Sequence, residues 1–266
     1  MPFREENHLR YFTFSSFPEK VCHGVFTRHG GVSPAPWNTL NLGGTVGDAH
    51  ENVIENRARL FNVINRPVES IFDVWQVHGS RVMTTSRPRM KSEEHPKADG
   101  ILTNAPNVTL LMRFADCVPI FLYDPIKGVV GLVHAGWQGT VAKIVVSAVQ
   151  VMIDEYDSKP EDILAGIGPS IGPDHYEVGE DVITRVKESF SECADRFLDR
   201  RNGLTYFDLW GANYHLLEIA GVKKIEAAAI CTACHPQDWY SHRRENGKTG
   251  RFGAIIALDQ GNRLID

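Results

Sequence analysis

Three short apolar segments follow one another between residues 108 and 134, with too few residues between them for a helix. The segments cover residues 108–112, 118–123 and 129–134. Apolar runs of this length that are bounded by turn residues predict buried β-strands. Strands that succeed one another without an intervening helix favour a mixed sheet over a purely parallel one. The fold must accommodate this sheet.

Helical periodicity appears on both sides of these strands. A helix is predicted to open near Asp48, to present Ile54, Ala58 and Phe61 along one face, and to end before Pro67. Further helices are predicted over 140–156, 179–193 and 209–220, and further strands over 163–167, 227–231 and 252–258. The elements predict an α+β (α/β layered) fold of mixed β-sheets packed with helices. Because no linker or repeat divides the chain, we expect residues 1–266 to form a single domain.

The charge and hydropathy of the chain argue against several classes of protein. The chain carries 28 Lys and Arg against 33 Asp and Glu, a formal net charge of −5, which argues against nucleic-acid binding. No apolar run reaches the roughly 18 residues that a membrane span needs. Residues 1–8 also lack the apolar stretch of a signal peptide. We therefore expect a cytoplasmic protein with no nucleic-acid or membrane partner and, by default, a monomer.

Eleven histidines and five cysteines make metal or thiol chemistry the open question for this chain. The segment from Asp124 to Gly128 favours a turn, so the two flanking apolar runs are interpreted as a β-hairpin. With the turn at residues 124–127, Cys117 pairs with His134, and a bulge at Gly128 shifts this register by about a residue. In either register the thiol and the imidazole lie at the same open end of the hairpin.

Such a pair has three interpretations. It is a buried thiol beside a satisfied core histidine, a cysteine nucleophile with its histidine base, or part of a metal site. His78 offers a third metal ligand, because residues 73–79 alternate in the manner of a strand and end at a turn. Three protein ligands leave a fourth position of a zinc site open for water or substrate. Asp116, directly before Cys117, is a candidate acid or base.

Eight short strings in this chain resemble those of a known family. They are FTRHGGVS (26–33), LNLG (40–43), QVHG (76–79), ADG (98–100), ADCVP (115–119), VHAGWQG (133–139), GPSIG (168–172) and SHRR (241–244). In this order, over about residues 24–257, they are similar to the YfiH/YlmD family. That family carries two labels, multicopper polyphenol oxidase or laccase domain, and purine nucleoside phosphorylase.

The resemblance implies a single YfiH-like domain and a zinc ion held by His78, Cys117 and His134. It also implies phosphorolysis of adenosine, inosine and methylthioadenosine to the free base and a sugar 1-phosphate, with adenosine deamination as a second reaction. The partners would be a purine nucleoside and phosphate. The older label leaves Cu²⁺ as an alternative to Zn²⁺.

The resemblance also implies roles for residues outside the metal ligands. Arg28 would face phosphate, because a guanidinium matches phosphate oxygens, and Asp116 would shuttle a proton in deamination. The catalytic candidates are therefore Asp116, Arg28 and Cys117, and the substrate-binding candidates are Arg28, Asn41, Gln76 and Arg244.

Three other functions remain open at the level of sequence. A copper polyphenol oxidase is disfavoured, because a multicopper site needs many further histidines in His-x-His pairs and the chain contains none. A metal-free Cys–His hydrolase and a non-catalytic nucleoside-binding module are the others.

Four residues that resemble ligand or cleft residues receive no role from the sequence. Cys231 and Cys234 resemble half of a zinc knuckle but lack a second Cys pair, so a structural role at a strand end is favoured. His175 is assigned to loop structure. His242 belongs either to a solvated basic loop or to the substrate cleft.

Overall fold

The strands predicted between residues 108 and 134 lie in two neighbouring sheets of the computed structural model, which describes residues 2–259. The strands are β1 (Phe3–Glu6), β2 (Leu9–Phe12), β3 (Val21–Phe26), β4 (Ile71–Phe72), β5 (Val82–Thr84), β6 (Gly100–Thr103), β7 (Thr109–Phe114), β8 (Val118–Asp124), β9 (Val129–Ala135), β10 (Leu164–Ile167), β11 (Glu177–Val178), β12 (Leu198–Arg201), β13 (Leu204–Phe207), β14 (Lys224–Ala227) and β15 (Phe252–Leu258). The helices are α1 (His50–Val63), α2 (Trp137–Val141), α3 (Ile144–Tyr156), α4 (Glu180–Phe190) and α5 (Leu209–Ile219). The predicted combination of sheets and helices is therefore confirmed.

Each of the two large sheets has six strands in the part of the chain that the structure describes. The order in the first sheet is β1-β2-β3-β15-β7-β4, and the order in the second is β14-β10-β8-β9-β6-β5. Most neighbours are antiparallel, whereas β4 with β7, β5 with β6, and β10 with β14 are parallel. Both sheets are mixed, as the run of successive strands predicted. A small third sheet has the order β11-β13-β12.

The two large sheets and the helices form successive layers. Alternate side chains of β8 point to opposite faces, so Ile120 packs with α3, α4 and α5 while Phe121 packs against the first sheet. The far face of the first sheet packs on α1 through Leu111, Leu60 and their neighbours. Strands β8 and β9 are buried along their whole length, which explains why their sequences are nearly continuous apolar runs.

The hairpin of β8 and β9 forms, but its register differs from the prediction. Pro119 lies opposite His134, and Asp124 lies opposite Val129, so the loop takes in residues 125–128. The predicted pairing of Cys117 with His134 is therefore wrong by two residues. The loop is longer because the Asp124 side chain accepts hydrogen bonds from two loop N–H groups, and Gly128 adopts a positive φ of 63°.

The predicted helices are confirmed with two corrections. The predicted helix 140–156 is two helices, because Lys143 takes a left-handed conformation between α2 and α3. The apolar face of α1 is rotated by one residue from the prediction. Val53 and Leu60 are buried, whereas Ile54 and Ala58 are exposed. The side chain of Asp208 caps α5 by accepting from the Gly211 N–H at 2.9 Å.

Two predicted strands are wrong. The strand predicted at 227–231 lies earlier, as β14, and Cys231 forms only an isolated bridge with Ser170. Residues 73–79 form no strand beyond an isolated bridge at Trp75. The N–H groups of Val77, His78 and Gly79 instead donate to a side-chain carboxylate. In this segment a side-chain carboxylate accepts the hydrogen bonds that the backbone of a neighbouring strand would otherwise accept.

Across residues 2–259, no helix is both long and apolar enough to cross a membrane. The assignment of residues 1–266 to one domain, the cytoplasmic location and the monomeric state stay predictions.

Truncating Phe121 tests the contact between the two large sheets. Its ring is fully buried, 5.2 Å from the ring of Phe14. We expect Phe121→Ala to lower the free energy of unfolding by about 3–5 kcal/mol, because it leaves a cavity between the sheets. Ile126→Ala, in the loop of the same hairpin with 71% of its side chain exposed, should change it by less than about 0.5 kcal/mol. Urea denaturation measures both, and equal losses would contradict this packing.

Candidate metal centre and active site

The three predicted metal ligands converge at the open end of the β8–β9 hairpin. His134 is the next-to-last residue of β9, Cys117 directly precedes β8, and His78 lies in the loop after Trp75. One ligand atom from each lies within 4.8 Å of the others, and the two imidazole rings are 4.8 Å apart, edge to face. The thiol and His134 thus meet at the predicted end of the hairpin, although the predicted register of the strands is wrong.

One buried carboxylate holds two of the three ligands in place. Asp99 accepts hydrogen bonds from the N–H of His78 at 2.9 Å and of Gly79 at 2.8 Å. The same carboxylate accepts from Nδ1 of His134 at 2.9 Å, which leaves Nε2 of that ring for the centre. Asp99 can reach both because it directly precedes β6, whose Gly100 pairs with Val133 of β9. A carboxylate behind a metal-binding histidine fixes the tautomer and the ring orientation.

The thiol and the imidazoles shift one another's ionisation. Burial raises the pKa of Cys117, but the charge of His134 and hydrogen bonds from both histidines outweigh it and lower the pKa from 9.0 to about 6. Burial lowers the pKa of His134, whereas the Cys117 charge and the Asp99 hydrogen bond raise it to about 9. Cys117 is thereby favoured as the thiolate, the form that binds a metal.

The backbone around the centre is constrained in two ways. His78 and Asp116 both have positive φ, 60° and 84°, a conformation that side-chain-bearing residues seldom adopt. Gly136, at the start of α2, approaches the centre so closely that a Cβ there would lie 2.9 Å from the Cys117 sulfur and 3.1 Å from Cδ2 of His78. Strained backbone and close glycine contacts are typical of functional sites.

The centre opens into a cavity of about 770 Å³. The lining residues are Gly43, Gly44, Thr45, His50, Arg57, Val74, Trp75, Gln76, His78, His95, Arg113, Ala115, Asp116, Cys117, His134, Gly136, Trp137, Gln138, Ile171, Tyr176, Leu209, His242, Arg243 and Arg251. Within the described part of the chain, the lining has four arginines and a single carboxylate. Three of its side chains, Trp75, Trp137 and Tyr176, are aromatic. The cavity is thus suited to an anionic ligand with an aromatic part.

Asp116 is the one carboxylate in this lining, and both of its oxygens accept hydrogen bonds. Oδ1 accepts from the Thr232 hydroxyl at 2.7 Å, and Oδ2 accepts from the Arg243 N–H at 2.7 Å. These contacts fix the carboxylate beside Cys117. The predicted position of Asp116 next to the centre is therefore what the structure shows, while its role as acid or base stays a prediction.

Asp73 neutralises much of the positive charge on one wall of the cavity. Its buried carboxylate accepts from Arg113 at 2.9 Å, from Arg89 at 2.9 Å and from His95 at 3.1 Å. Burial raises the pKa of Asp73, but its hydrogen bond to His95 and the arginine charges hold that pKa well below the usual range. Gln76 is fixed nearby, since both ends of its amide bond the Arg113 backbone.

Arg57 lines the same cavity as Arg113, whose two terminal nitrogens donate to Asp73 and to the Val74 carbonyl. Within residues 2–259, the Nε of Arg57 is buried and makes no hydrogen bond. Burial and the neighbouring charge of Arg113 lower the pKa of Arg57, yet an arginine stays charged in proteins. A buried guanidinium nitrogen without an acceptor is costly. An anion in the cavity would supply the missing acceptor.

Arg28 does not lie at the cavity wall, contrary to the expectation that it faces phosphate. Its guanidinium donates to the carbonyls of Asn38 and Pro236, both at 2.8 Å, and to Glu245 at 3.1 Å. It also lies 4.4 Å from the centre of the Tyr240 ring. These contacts occupy its donors, so Arg28 joins the loop after β3 to residues 236–245.

Two other predicted substrate-binding residues also lie outside the lining. Asn41 is fully buried, and its side-chain oxygen accepts from the N–H groups of Gly43 and Arg251, so it positions two segments of the wall. Arg244 is exposed, and its neighbour Arg243 lines the cavity instead. His242, left open by the sequence, is a lining residue.

The segments that form this centre match a known protein family. A family model described as multi-copper polyphenol oxidoreductase laccase matches residues 22–259. The chain belongs to this family. The match includes all three ligands and the cavity wall from Gly43 to Arg251.

Several similar proteins carry a different activity in their names. Purine nucleoside phosphorylase YlmD of Bacillus subtilis (strain 168) is 38% identical over 251 residues, covering 91% of this chain and 90% of that protein. A purine nucleoside phosphorylase of Deinococcus radiodurans is 39% identical over 238 residues, covering 90% and 89%. The crystal structure of YlmD from Geobacillus stearothermophilus superimposes with a TM-score of 0.91 at 33% identity, covering 97% of this chain and 99% of that one. The resemblance to YfiH/YlmD is confirmed.

Three residues of the site were missed by sequence reasoning. Asp99 lies within a string that carries the family resemblance, but its role depends on contacts that the string does not reveal. Arg243 is one position from the residue that was chosen. Arg57 did give a signal, because it follows Val53 by four residues and precedes Leu60 by three, on the buried face of α1. A charged residue on an apolar helix face marks a candidate for a functional site.

Substitution of Asp99 tests the support of the centre. Asp99→Asn keeps the size of the side chain but removes the charge that accepts from His134 and two backbone N–H groups. We expect its zinc affinity to fall by about 10–100-fold, measured by competition with a chelator. Asp124→Asn, at the opposite end of the hairpin, should bind zinc as the wild type does. Unchanged affinity in Asp99→Asn would contradict the assigned role.

A methyl group on Gly136 tests the close approach of backbone to the centre. The added Cβ would lie 2.9 Å from the Cys117 sulfur, so the ligand must shift. We expect Gly136→Ala to bind zinc more weakly by at least about tenfold, on the scale seen for disturbed metal ligands. Gly44→Ala is the control, because no atom lies within 4 Å of its added Cβ in the same cavity wall. Equal zinc affinities of Gly136→Ala and Gly44→Ala would show that the close approach of Gly136 does not constrain the centre.

Proposed function

We propose that this protein is a zinc-dependent purine nucleoside phosphorylase. It would convert adenosine, inosine or methylthioadenosine and phosphate to the free base and a (methylthio)ribose 1-phosphate, with adenosine deamination as a second activity. The observation that carries the proposal is the opening of a His–Cys–His group into a cavity lined by arginines and aromatic rings. The names of similar proteins from two bacteria support it.

The ligand set suits a zinc ion. Imidazole and thiolate are preferred zinc ligands, and three protein ligands facing a cavity are typical of catalytic sites. The hydrogen bond from His134 to Asp99 and the lowered pKa of Cys117 prepare two of the ligands. Bound by His78, Cys117 and His134, zinc would supply Lewis-acid polarisation.

Arg57 is the best-placed residue for phosphate. Among residues 2–259 its buried Nε finds no acceptor, and Arg251 and Arg113 line the same cavity. Arg113 already bonds Asp73, so the unpaired donor of Arg57 gains most from an anion. Guanidinium groups match phosphate oxygens with paired hydrogen bonds. Arg57 replaces Arg28 as the phosphate candidate.

The cavity also offers groups that phosphorolysis requires at the purine, the part of the substrate that leaves. A phosphate oxygen forms a bond to the sugar carbon as the bond from that carbon to the purine nitrogen breaks. The electron pair leaves with the base, and the proton of hydrogen phosphate ends on the base. Trp75, Trp137 and Tyr176 are available to stack on the purine. Asp116 is the carboxylate that can carry the proton.

Deamination would use Asp116 of the same cavity wall for a different reaction. A water oxygen adds to the purine carbon that bears the amino group, and the nitrogen leaves as ammonia, so adenosine becomes inosine. Asp116 takes the proton of the water and delivers it to the leaving nitrogen. Its two hydrogen bonds hold it beside Cys117 for both transfers.

Phenol oxidation, the activity in the family description, is not favoured by the donor sets. In residues 2–259, the groups of three or more metal donors are one His–Cys–His group and one with two thiols, one histidine and one aspartate. Neither supplies the additional histidines that a multicopper site needs. The cavity arginines have no role in oxidising a neutral phenol.

The proposed reactions are distinguished by their products. Zinc-loaded protein with adenosine and phosphate is expected to release adenine and ribose 1-phosphate, whereas without phosphate the expected product is inosine. Chromatography of the mixture measures both. Absence of all three products with fully metallated protein would refute the proposal, and activity that persists in zinc-free protein would favour a Cys–His hydrolase.

Substitution of Arg57 tests the phosphate site. Arg57→Gln removes a charge-assisted hydrogen bond of about 1.5–3 kcal/mol, so the KM for phosphate should rise by roughly 10–100-fold. The rate of deamination, which uses no phosphate, should stay within about twofold. Arg59→Gln, an exposed neighbour on α1 paired with Glu55, is the control. An unchanged KM would remove Arg57 from the phosphate site.

A further inference from the structure

A second group of metal-type side chains lies beyond Asp116, outside the cavity lining. Asp174, His175, Cys231 and Cys234 each offer one ligand atom, and the four atoms lie within 4.8 Å of one another. We propose that these residues form a structural zinc site, separate from the centre at Cys117. The site does not depend on the proposed function.

Four of the six distances among these ligand atoms are close to those expected around a tetrahedral ion. Nδ1 of His175 lies 3.5 Å from the Cys234 sulfur and 3.8 Å from the Cys231 sulfur. Oδ2 of Asp174 lies 3.8 Å from the Cys234 sulfur and 3.1 Å from Nδ1 of His175. Ligand atoms bound at about 2.0–2.3 Å around a tetrahedral zinc ion lie roughly 3.3–3.8 Å apart. The other two pairs of ligand atoms also lie within 4.8 Å, so small side-chain movements would bring all four atoms to one zinc ion.

The fold builds this arrangement from two adjacent loops. Cys231 is tied to the first loop by its bridge with Ser170 and by the Gly172 N–H, which lies 3.2 Å from its sulfur. Gly172 lets the loops approach, because a Cβ there would lie 2.7 Å from Asp174 Oδ1 and 3.2 Å from the Cys231 sulfur. Cys234 follows Cys231 at the C-x-x-C spacing that places two thiolates on one ion.

The donor chemistry selects the metal. Two thiolates and an imidazole favour zinc over magnesium or calcium, which prefer oxygen ligands. Four protein ligands fill a tetrahedral zinc ion and leave no position for substrate, the arrangement of a structural site. The sequence favoured a strand-end role for Cys231 and Cys234 because no second Cys pair follows. The other two ligands are Asp174 and His175. His175 precedes Cys231 by 56 residues.

The second site would stabilise the wall of the first. Thr232 lies between the two cysteines, and its hydroxyl donates to Oδ1 of Asp116 at 2.7 Å. Its backbone N–H donates to the Ser170 carbonyl at 3.0 Å. A metal bound at Cys231 and Cys234 restrains this loop and hence the position of Asp116. Asp116 would therefore be held by a zinc ion that it does not touch.

Metal analysis tests the site directly. Protein purified with zinc and freed of loosely bound metal is expected to contain about two zinc ions per chain. Cys117→Ala and Cys234→Ser should each retain about one, and the double variant none. Cys193→Ser, a cysteine outside both groups, should retain two. One zinc per chain in the wild type with no loss in Cys234→Ser would overturn the second site, as would a Cys231–Cys234 disulfide in the zinc-loaded protein.

Cobalt binding tests the second group of ligands independently of metal binding at the centre with Cys117. Cys117→Ala leaves the second group intact, and Co²⁺ bound there should show the charge-transfer bands of two thiolate ligands. These bands should vanish when Cys234→Ser is added and weaken with the milder Asp174→Asn. Folded Cys117→Ala that binds no cobalt refutes the second site, whereas cobalt bound there without nucleoside turnover by the wild type refutes only the proposed function.

Discussion

The candidate site depends on the hydrogen bonds that the carboxylate of Asp99 accepts. It is fully buried, yet it accepts hydrogen bonds from His134 and from the backbone of the loop that carries His78. These contacts offset the cost of burying a charge and join segments about 55 residues apart in the chain. They also explain why residues 73–79 form a loop and not the predicted strand. The loop donates its N–H groups to Asp99, and His78 is thereby turned toward Cys117.

The sequence was most informative where contacts are local. The β8–β9 hairpin, the cap of α5 at Asp208 and the meeting of Cys117 with His134 follow from turn residues and apolar runs, and an error of two residues in register did not separate the ligands. Arginines were less predictable. Arg28 follows the buried end of β3, and Arg57 lies on the buried face of α1. Only the packing of distant loops decides which of the two donates to backbone carbonyls and which lines the cavity.

The distribution of charge reconciles an acidic chain with the anionic substrate that we propose. The net charge of −5 gives no sign of phosphate binding, but four arginines and one carboxylate line the same cavity. Asp73 holds Arg113 and Arg89 in place and takes up part of their charge from outside the lining. A local excess of positive charge surrounded by low-dielectric walls attracts an anion more strongly than the net charge suggests.

The position of β15 in the first sheet determines when the cavity can exist. Although β15 is the last strand of the described chain, it pairs with β3 on one side and β7 on the other. Strands β3 and β7 therefore cannot take their places in this sheet until residues 252–258 are available to pair with both. Arg251, which directly precedes β15, completes the cavity wall at the same moment. A growing chain thus lacks the complete cavity wall until residues 251–258 have been synthesised.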